Sequence, residues 1–595
     1  MNSDHPTNQA TPWRFCRTWI IAPILVAIVS TASAAAPNGT GTHNDLINLF
    51  EDFQEWKTAR WRIAMAAFVA SGNSGYAIAP GSFGPNSQSV DAIPDYSVAA
   101  VGRRRAELRL MQQSMEDMSV RHWSVPEQVD YLTVRAELDK QDFILQVTRP
   151  WARDPVFYIA NLFKTAFTEL PADGKDLKNL QRQLRAIPAT LSAARNNLTD
   201  VAADYADLAI RTLTTSDGVE DGYPRRAEPP AGVIGWYEDL LARAETQPEL
   251  KPDISAAITA LSHFQSWLTE NRASMNDENG VGKEALDWFV QNALLIPYTS
   301  NEIAVLAQRE LDRFWAFYAL EQHRNRDLPE LSMASSREEY QQRLVETDQL
   351  VRDFLVDDSF ITIPDYIPKN WKMMMVGSYK TGYNVPWIVR QTPPNFWEQV
   401  QFRDPAPDHL HAVIPGHRFD AMVAERNPNT IRAQVNFGGR WQGWAVYLEE
   451  APLQAGILNS RPRTRELIYI FGLWRAARAL GDIYNQWNEM TASETADYWM
   501  GITPLMDPNV ARKYAYLRPA PGHGIEYTIG NIQMFQLLGD RKRQLTDKFV
   551  LRDFHDEFIS KGRIPISLIR YEMTGYKKDV ESFWNRQPLS SVLMQ

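Results

Sequence analysis

The sequence predicts a mainly α protein: one large helical domain carrying a small embedded β-sheet. Three observations lead there. Apolar residues recur at helical spacing through most of the chain. A capping box opens one of the longest periodic segments. The texture changes in the proline-rich stretch 361–401.

The chain has 595 residues, 44% of them hydrophobic, with 19 Trp, 22 Tyr and 25 Phe. That supply of apolar and aromatic side chains supports a large packed core. The formal charge is −10, from 62 basic and 72 acidic residues. Nucleic-acid binding needs clustered positive charge, so no nucleic-acid partner is expected.

At the N-terminus, Arg14 and Arg17 precede an apolar run from Trp19 to Val29, which is followed by Ala32-Ser33-Ala34. Basic residues, a short apolar segment and an Ala-x-Ala ending make residues 1–34 a secretory signal peptide. The run is shorter than the roughly 20 residues a membrane span needs, and it contains Pro23. No membrane span is expected after cleavage, and the mature domain covers 35–595. Cleavage also removes Cys16, the only cysteine. A cysteine-free mature chain of this size suits a bacterial periplasmic or secreted location and must be stabilised by packing.

Helical spacing begins at His43 and runs to Phe68, with Leu46, Leu49, Phe50, Phe53 and Trp56 on one face. Residues 72–94, rich in Gly, Ser and Pro, read as an irregular connection. Helices are then predicted over 96–118, 126–147, 177–198, 199–213, 237–244 and 254–271. Thr299-Ser300-Asn301-Glu302 caps a helix running towards His323, and another covers 336–355. Within the proline-rich stretch, Lys372 to Val376 and Pro386 to Arg390 are the expected strands. Helical texture returns at Pro415. No repeat of 20 to 50 residues is present, which excludes a solenoid.

Three of the ten histidines fall within nine residues: His409, His411 and His417. Imidazoles are good ligands for zinc and similar ions. A regular helix would place positions 411 and 417 on different faces, so they converge only if Pro415-Gly416 distorts the backbone. The alternative is that the histidines pack around a loop-to-helix junction, since the spacing matches no common zinc motif.

His411-Ala412-Val413-Ile414-Pro415-Gly416-His417 resembles the H-E-x-x-P-G-H signature of the bacterial family called domain of unknown function 885. Gln442-Gly443-Trp444-Ala445-Val446-Tyr447-Leu448-Glu449 resembles its E-G-W-A-x-Y-x-E segment. Asp130-Tyr131-Leu132, Arg149 to Pro155, Ile234-Gly235 with Tyr237, and Leu294 to Tyr298 are similar to further landmarks in the same order. Tyr527 to Gly530 and Leu551 to Asp556 continue them, so the resemblance covers nearly the whole mature chain. It implies a zincin-like, peptidase-related fold. In that pattern two histidines and a glutamate hold zinc, while a second glutamate activates water.

By position, His411 and His417 would be the first two metal ligands, and Gln442 would stand at the third. Ala412 would stand at the general base. An alanine methyl can neither take nor return a proton, a loss of about 100- to 10,000-fold in rate. A neutral carboxamide is a poorer zinc ligand than a carboxylate. Ordinary zinc-water hydrolysis is therefore not expected of the altered motif at 411–449. Replacement carboxylates are Asp420 and Glu449, the latter two turns from position 442 on the same helix face. Tyr527 and His555 are candidates for binding a substrate carbonyl.

Three functions follow. The first is a catalytically degenerate protein that binds peptide, protein or envelope material in its cleft. The second is an active metal-dependent hydrolase using Asp420 or Glu449. The third is a purely structural envelope protein. Zinc is the expected cofactor where the ligands hold, and a metal-free chain is the alternative.

Overall fold

The structure is a computed structural model that describes residues 41–59, 96–160, 162–215, 229–374, 393–516 and 521–593. Among these residues it is built from helices and turns, with no strand. Helix α1 spans His43–Ala59, α2 Val98–Glu116 and α3 Val125–Phe143. Helices α4 (Gly174–Asn197), α5 (Ala203–Thr214), α6 (Gly232–Arg243) and α7 (Lys251–Asn271) follow. Next come α8 (Ser300–Arg324) and α9 (Arg337–Asp357).

The predicted cap of α8 forms as expected. Glu302 N–H donates to Thr299 Oγ1 at 3.3 Å, and Thr299 N–H donates to Glu302 Oε2 at 2.8 Å. Two otherwise unmet N–H groups of the first turn are thereby satisfied. Behind the cap, Ile303, Ala307, Leu311 and Phe314 recur at helical spacing and are buried.

The expected small sheet is corrected in part. Lys372 to Met374 lies in a helical turn, Trp371–Met374, capped by Asn370 Oδ1, which accepts from Met373 N–H. The short apolar run between prolines suggests a strand, but a local side-chain cap settles a helical turn there. The second expected strand, Pro386 to Arg390, lies outside the described residues, as do residues 60–95 and the segment 1–34.

The second half forms the centre. Short helices α10 (Ala406–Ala412) and α11 (His417–Ala424) precede α12 (Gly438–Ala455) and α13 (Pro462–Gln486). Helices α14 (His523–Leu545) and α15 (Leu551–Ser560) follow. Almost every residue of α13 from Thr464 to Gln486 is buried, the pattern of a helix enclosed on all sides. It packs against α8 and α14, and α12 packs along α14. One buried apolar cluster runs from Leu46 to Phe583.

Glycines set the closest crossing. A Cβ on Gly443 would lie 2.5 Å from Gly530 Cα, and one on Gly530 would lie 2.3 Å from the Gly439 carbonyl oxygen. The backbones of α12 and α14 therefore touch where any larger residue would push them apart. This gives the glycine of the Gln442-Gly443-Trp444-Ala445 segment a packing reason.

Candidate functional site

The junction between α10 and α11 does what convergence of the histidines requires. Helix α10 ends at Ala412, the Ile414–Pro415 peptide is cis, and α11 begins at His417. Gly416 lies against the end of α10, where an added Cβ would fall 2.0 Å from the His411 carbonyl oxygen. Only glycine fits there. The chain folds back, and the two imidazoles meet edge to face with ring centroids 4.6 Å apart.

Both rings are buried, and α12 supplies their neighbours. His417 Nε2–H donates to Gln442 Oε1 at 3.1 Å. A carboxamide oxygen only accepts, so this pairing holds the ring in its Nε2–H tautomer. Trp441 stacks on the same ring at 4.2 Å. His411 Nδ1 lies 2.7 Å from Glu449 Oε1, but the approach is not aligned as a hydrogen bond. Glu449 Oε1 in turn accepts from Arg475 Nη2 at 3.1 Å.

Electrostatics favour neutral imidazoles. Burial pushes His411 well below its usual range, and the charges of Arg475 and Arg478 push it further. His417 is lowered by burial and by His411, while the Gln442 hydrogen bond acts the other way. Burial raises Glu449 to about 7 against the pull of Arg475. Asp408, whose Oδ2 accepts from Gln401 Nε2 at 2.8 Å, is raised well above the carboxylate range, again by burial.

His411, His417, Gln442 and Glu449 thus stand together, with Ala412 buried beside them. Tyr527, on α14, joins the group, its ring nearly parallel to that of His411 at 6.4 Å. Asp420 points to a different partner, Arg440 Nη2, at 2.8 Å in the core. His555 is a core histidine. It donates from Nδ1 to the Phe360 carbonyl at 2.6 Å and accepts at Nε2 from the Tyr447 hydroxyl at 2.8 Å. His409, third of the sequence cluster, pairs with Asp348 at 3.1 Å. Trp444 is fully buried and donates Nε1–H to the Pro415 carbonyl at 3.0 Å, bracing the junction. The landmark Asp130 is a structural tie, accepting from Arg432 Nε at 2.8 Å.

Sequence reasoning missed Arg475 and Arg478, which lie three residues apart on α13 and under the Tyr527 ring. The available signal was two arginines inside an otherwise apolar run, Leu467 to Leu480. A charged residue in such a run is costly to bury, and that cost marks both positions as more than packing.

Among the described residues, no three His, Cys, Asp or Glu side chains are grouped to hold a metal ion. The third position is a neutral amide that already takes the His417 proton, and the one carboxylate within reach is shared with an arginine. Two guanidinium groups beside the pair add positive charge where a cation would sit. This donor set does not fit the usual zinc-water constellation.

The model for "Bacterial protein of unknown function (DUF885)" matches residues 79–573. The chain belongs to the DUF885 family. Among solved structures, this DUF885 chain is similar to a "putative lipoprotein of unknown function" from Shewanella oneidensis. That match has TM-score 0.64 and 17% identity, covering 90% of this chain and 100% of the other. A "putative lipoprotein" from Colwellia psychrerythraea matches at TM-score 0.61 and 14% identity, covering 92% and 100%. At these identities the likeness is one of fold. No curated protein matches the chain. No helix among the described residues is long and apolar enough to cross a membrane.

Proposed function

We propose that this DUF885 chain is an exported, zincin-like protein that has left the zinc-water route and acts by binding a peptide, protein or envelope ligand. One observation carries the reading: Gln442 accepts the His417 Nε2 proton where the motif would have a metal-binding carboxylate. Ala412 adds to it, since a methyl group stands at the position of the base. Export rests on the signal-peptide pattern of residues 1–34, and the lipoprotein descriptions of the two similar structures agree with it.

Metal content and restoration together test the reading. Mass spectrometry of the purified mature protein is expected to find zinc far below one per chain, unchanged in His411→Ala/His417→Ala. Ala412→Glu with Gln442→Glu is expected to raise zinc binding and to create peptidase activity on a peptide library. Turnover by the wild type that a chelator abolishes would overturn it.

A second reading, an active hydrolase with Glu449 as replacement carboxylate, is favoured by the 2.7 Å approach of Glu449 to His411. It requires Glu449 to leave Arg475, its present partner. Stoichiometric metal lost in Glu449→Gln would decide for it.

A further inference from the structure

Arg478 is a buried cation with no acid in ion-pair contact among the described residues. Its side chain is 1% exposed, and its Nε and Nη2 have no hydrogen-bond acceptor. What surrounds it is aromatic: Trp474 at 5.1 Å, Tyr514 at 4.6 Å and Tyr527 at 4.8 Å from the guanidinium carbon to each ring centre. Ring faces attract a guanidinium, but they accept none of the N–H bonds that lie in its plane.

The acids of the same neighbourhood are engaged elsewhere. Glu449 accepts from Arg475, Asp408 accepts from Gln401, and Asp482, one turn beyond Arg478, accepts from Gly524 N–H at 2.8 Å. A charge taken out of water without a partner is costly, and proteins retain such groups where a ligand completes them. The guanidinium fork matches a planar anion that presents two oxygens side by side.

We propose that Arg478, assisted by Arg475 and walled by Trp474, Tyr514 and Tyr527, receives the C-terminal carboxylate of a peptide. The inference rests on the peptide-binding part of the reading above and names the end of the peptide that is recognised. Geometry favours a peptide terminus over a free anion. Tyr527 contacts both arginines and stacks near His411, so a chain anchored at Arg478 has Tyr527 to run along towards the two histidines. The aromatic walls suit an apolar terminal side chain, which inorganic phosphate lacks. Arg475 is a positioning residue here, because its Nη2 is already given to Glu449.

The test is calorimetric binding of acetylated tetrapeptide pools to the full mature protein, comparing free C-terminal acids with the matching carboxamides. Acids are expected to bind about tenfold or more tightly than amides, the loss typical of a charge-assisted pair. Arg478→Met is expected to erase that difference, and Arg478→Lys to keep part of it. Inorganic phosphate is expected to compete weakly. Equal affinity for acids and amides on the wild type would overturn the carboxylate site while leaving peptide binding standing. Failure of both pools to bind would overturn both. Full displacement of the acids by phosphate at equal concentration would assign the site to anions generally and overturn the peptide terminus.

Discussion

Gln442 Oε1 lies 3.1 Å from His417 Nε2, and both side chains are buried. The contact makes the pair a structural unit. Gln442→Leu leaves a buried imidazole N–H without its acceptor and is expected to destabilise the protein by about 1–3 kcal/mol. Denaturant unfolding of the wild type and variant measures it. No change would mean that the His417 ring finds another partner.

Asp420 and Arg440 form an ion pair in which both side chains are buried. Asp420→Asn should cost on the order of 3–5 kcal/mol, because it strands the arginine. Ligand affinity measured at a temperature where the variant is folded should stay at the wild-type level. A selective loss of binding with normal stability would return Asp420 to the functional site.

The α12–α14 crossing supplies its own control. Gly443→Ala places a methyl 2.5 Å from Gly530 Cα, whereas Gly439→Ala meets nothing within 4 Å. The first is expected to cost about 1–3 kcal/mol or more through overpacking. The second should be neutral or stabilising, by up to about 1 kcal/mol from helix propensity. Thermal melts of the two variants side by side check the contrast.

Glu526 gives a pH signature. Burial pushes its carboxyl up to about 8 from 4.5, with Lys140 pulling it down and Asp482 pushing it up. Between those values the folded state holds the proton more tightly than the unfolded state, so this group's contribution to stability falls as pH rises from about 4.5 to about 8. At roughly 1.4 kcal/mol per unit, the effect is a few kcal/mol. Glu526→Gln is therefore expected to gain stability relative to wild type at pH 8 and little at pH 5. Unfolding free energies at the two values measure it, and a gain of equal size at both would refute the assignment.

His555 works in the opposite direction. Burial lowers it to about 4 against the effect of the Phe360 carbonyl. The folded state therefore disfavours the protonated ring, and this contribution is lost as pH falls from about 6.5 towards 4. His555→Gln should flatten the acid limb of the stability profile and leave ligand binding at neutral pH intact. A binding defect without a stability defect would contradict the core role.

Much of the fold was legible. Helices from α2 to α9 were predicted within a few residues of their ends, because each presents a repeating apolar face and several carry a local cap. The strand expected at Lys372 to Val376 failed because a five-residue, mostly apolar run is too short to separate the two periods. At the site, the gathering of His411 and His417 was conditional on Pro415-Gly416, and the backbone there does reverse. His555 and Asp420 were read as possible actors because their chemistry suited the role. Their partners, Tyr447 and Arg440, lie 108 and 20 residues away along the chain, so nothing in their own segments indicates them.

By itself, then, the sequence determined the helical class and which residues, His411, Ala412, His417 and Gln442, stand in the two segments, because these depend on local periodicity and residue identity. Only the tertiary structure decided which charges answer one another. Asp420 went to Arg440 and Glu449 to Arg475, while Arg478 was left among rings. Pairing energies of buried charges depend on distance and desolvation between segments far apart in the chain, and neither quantity is written in any one segment.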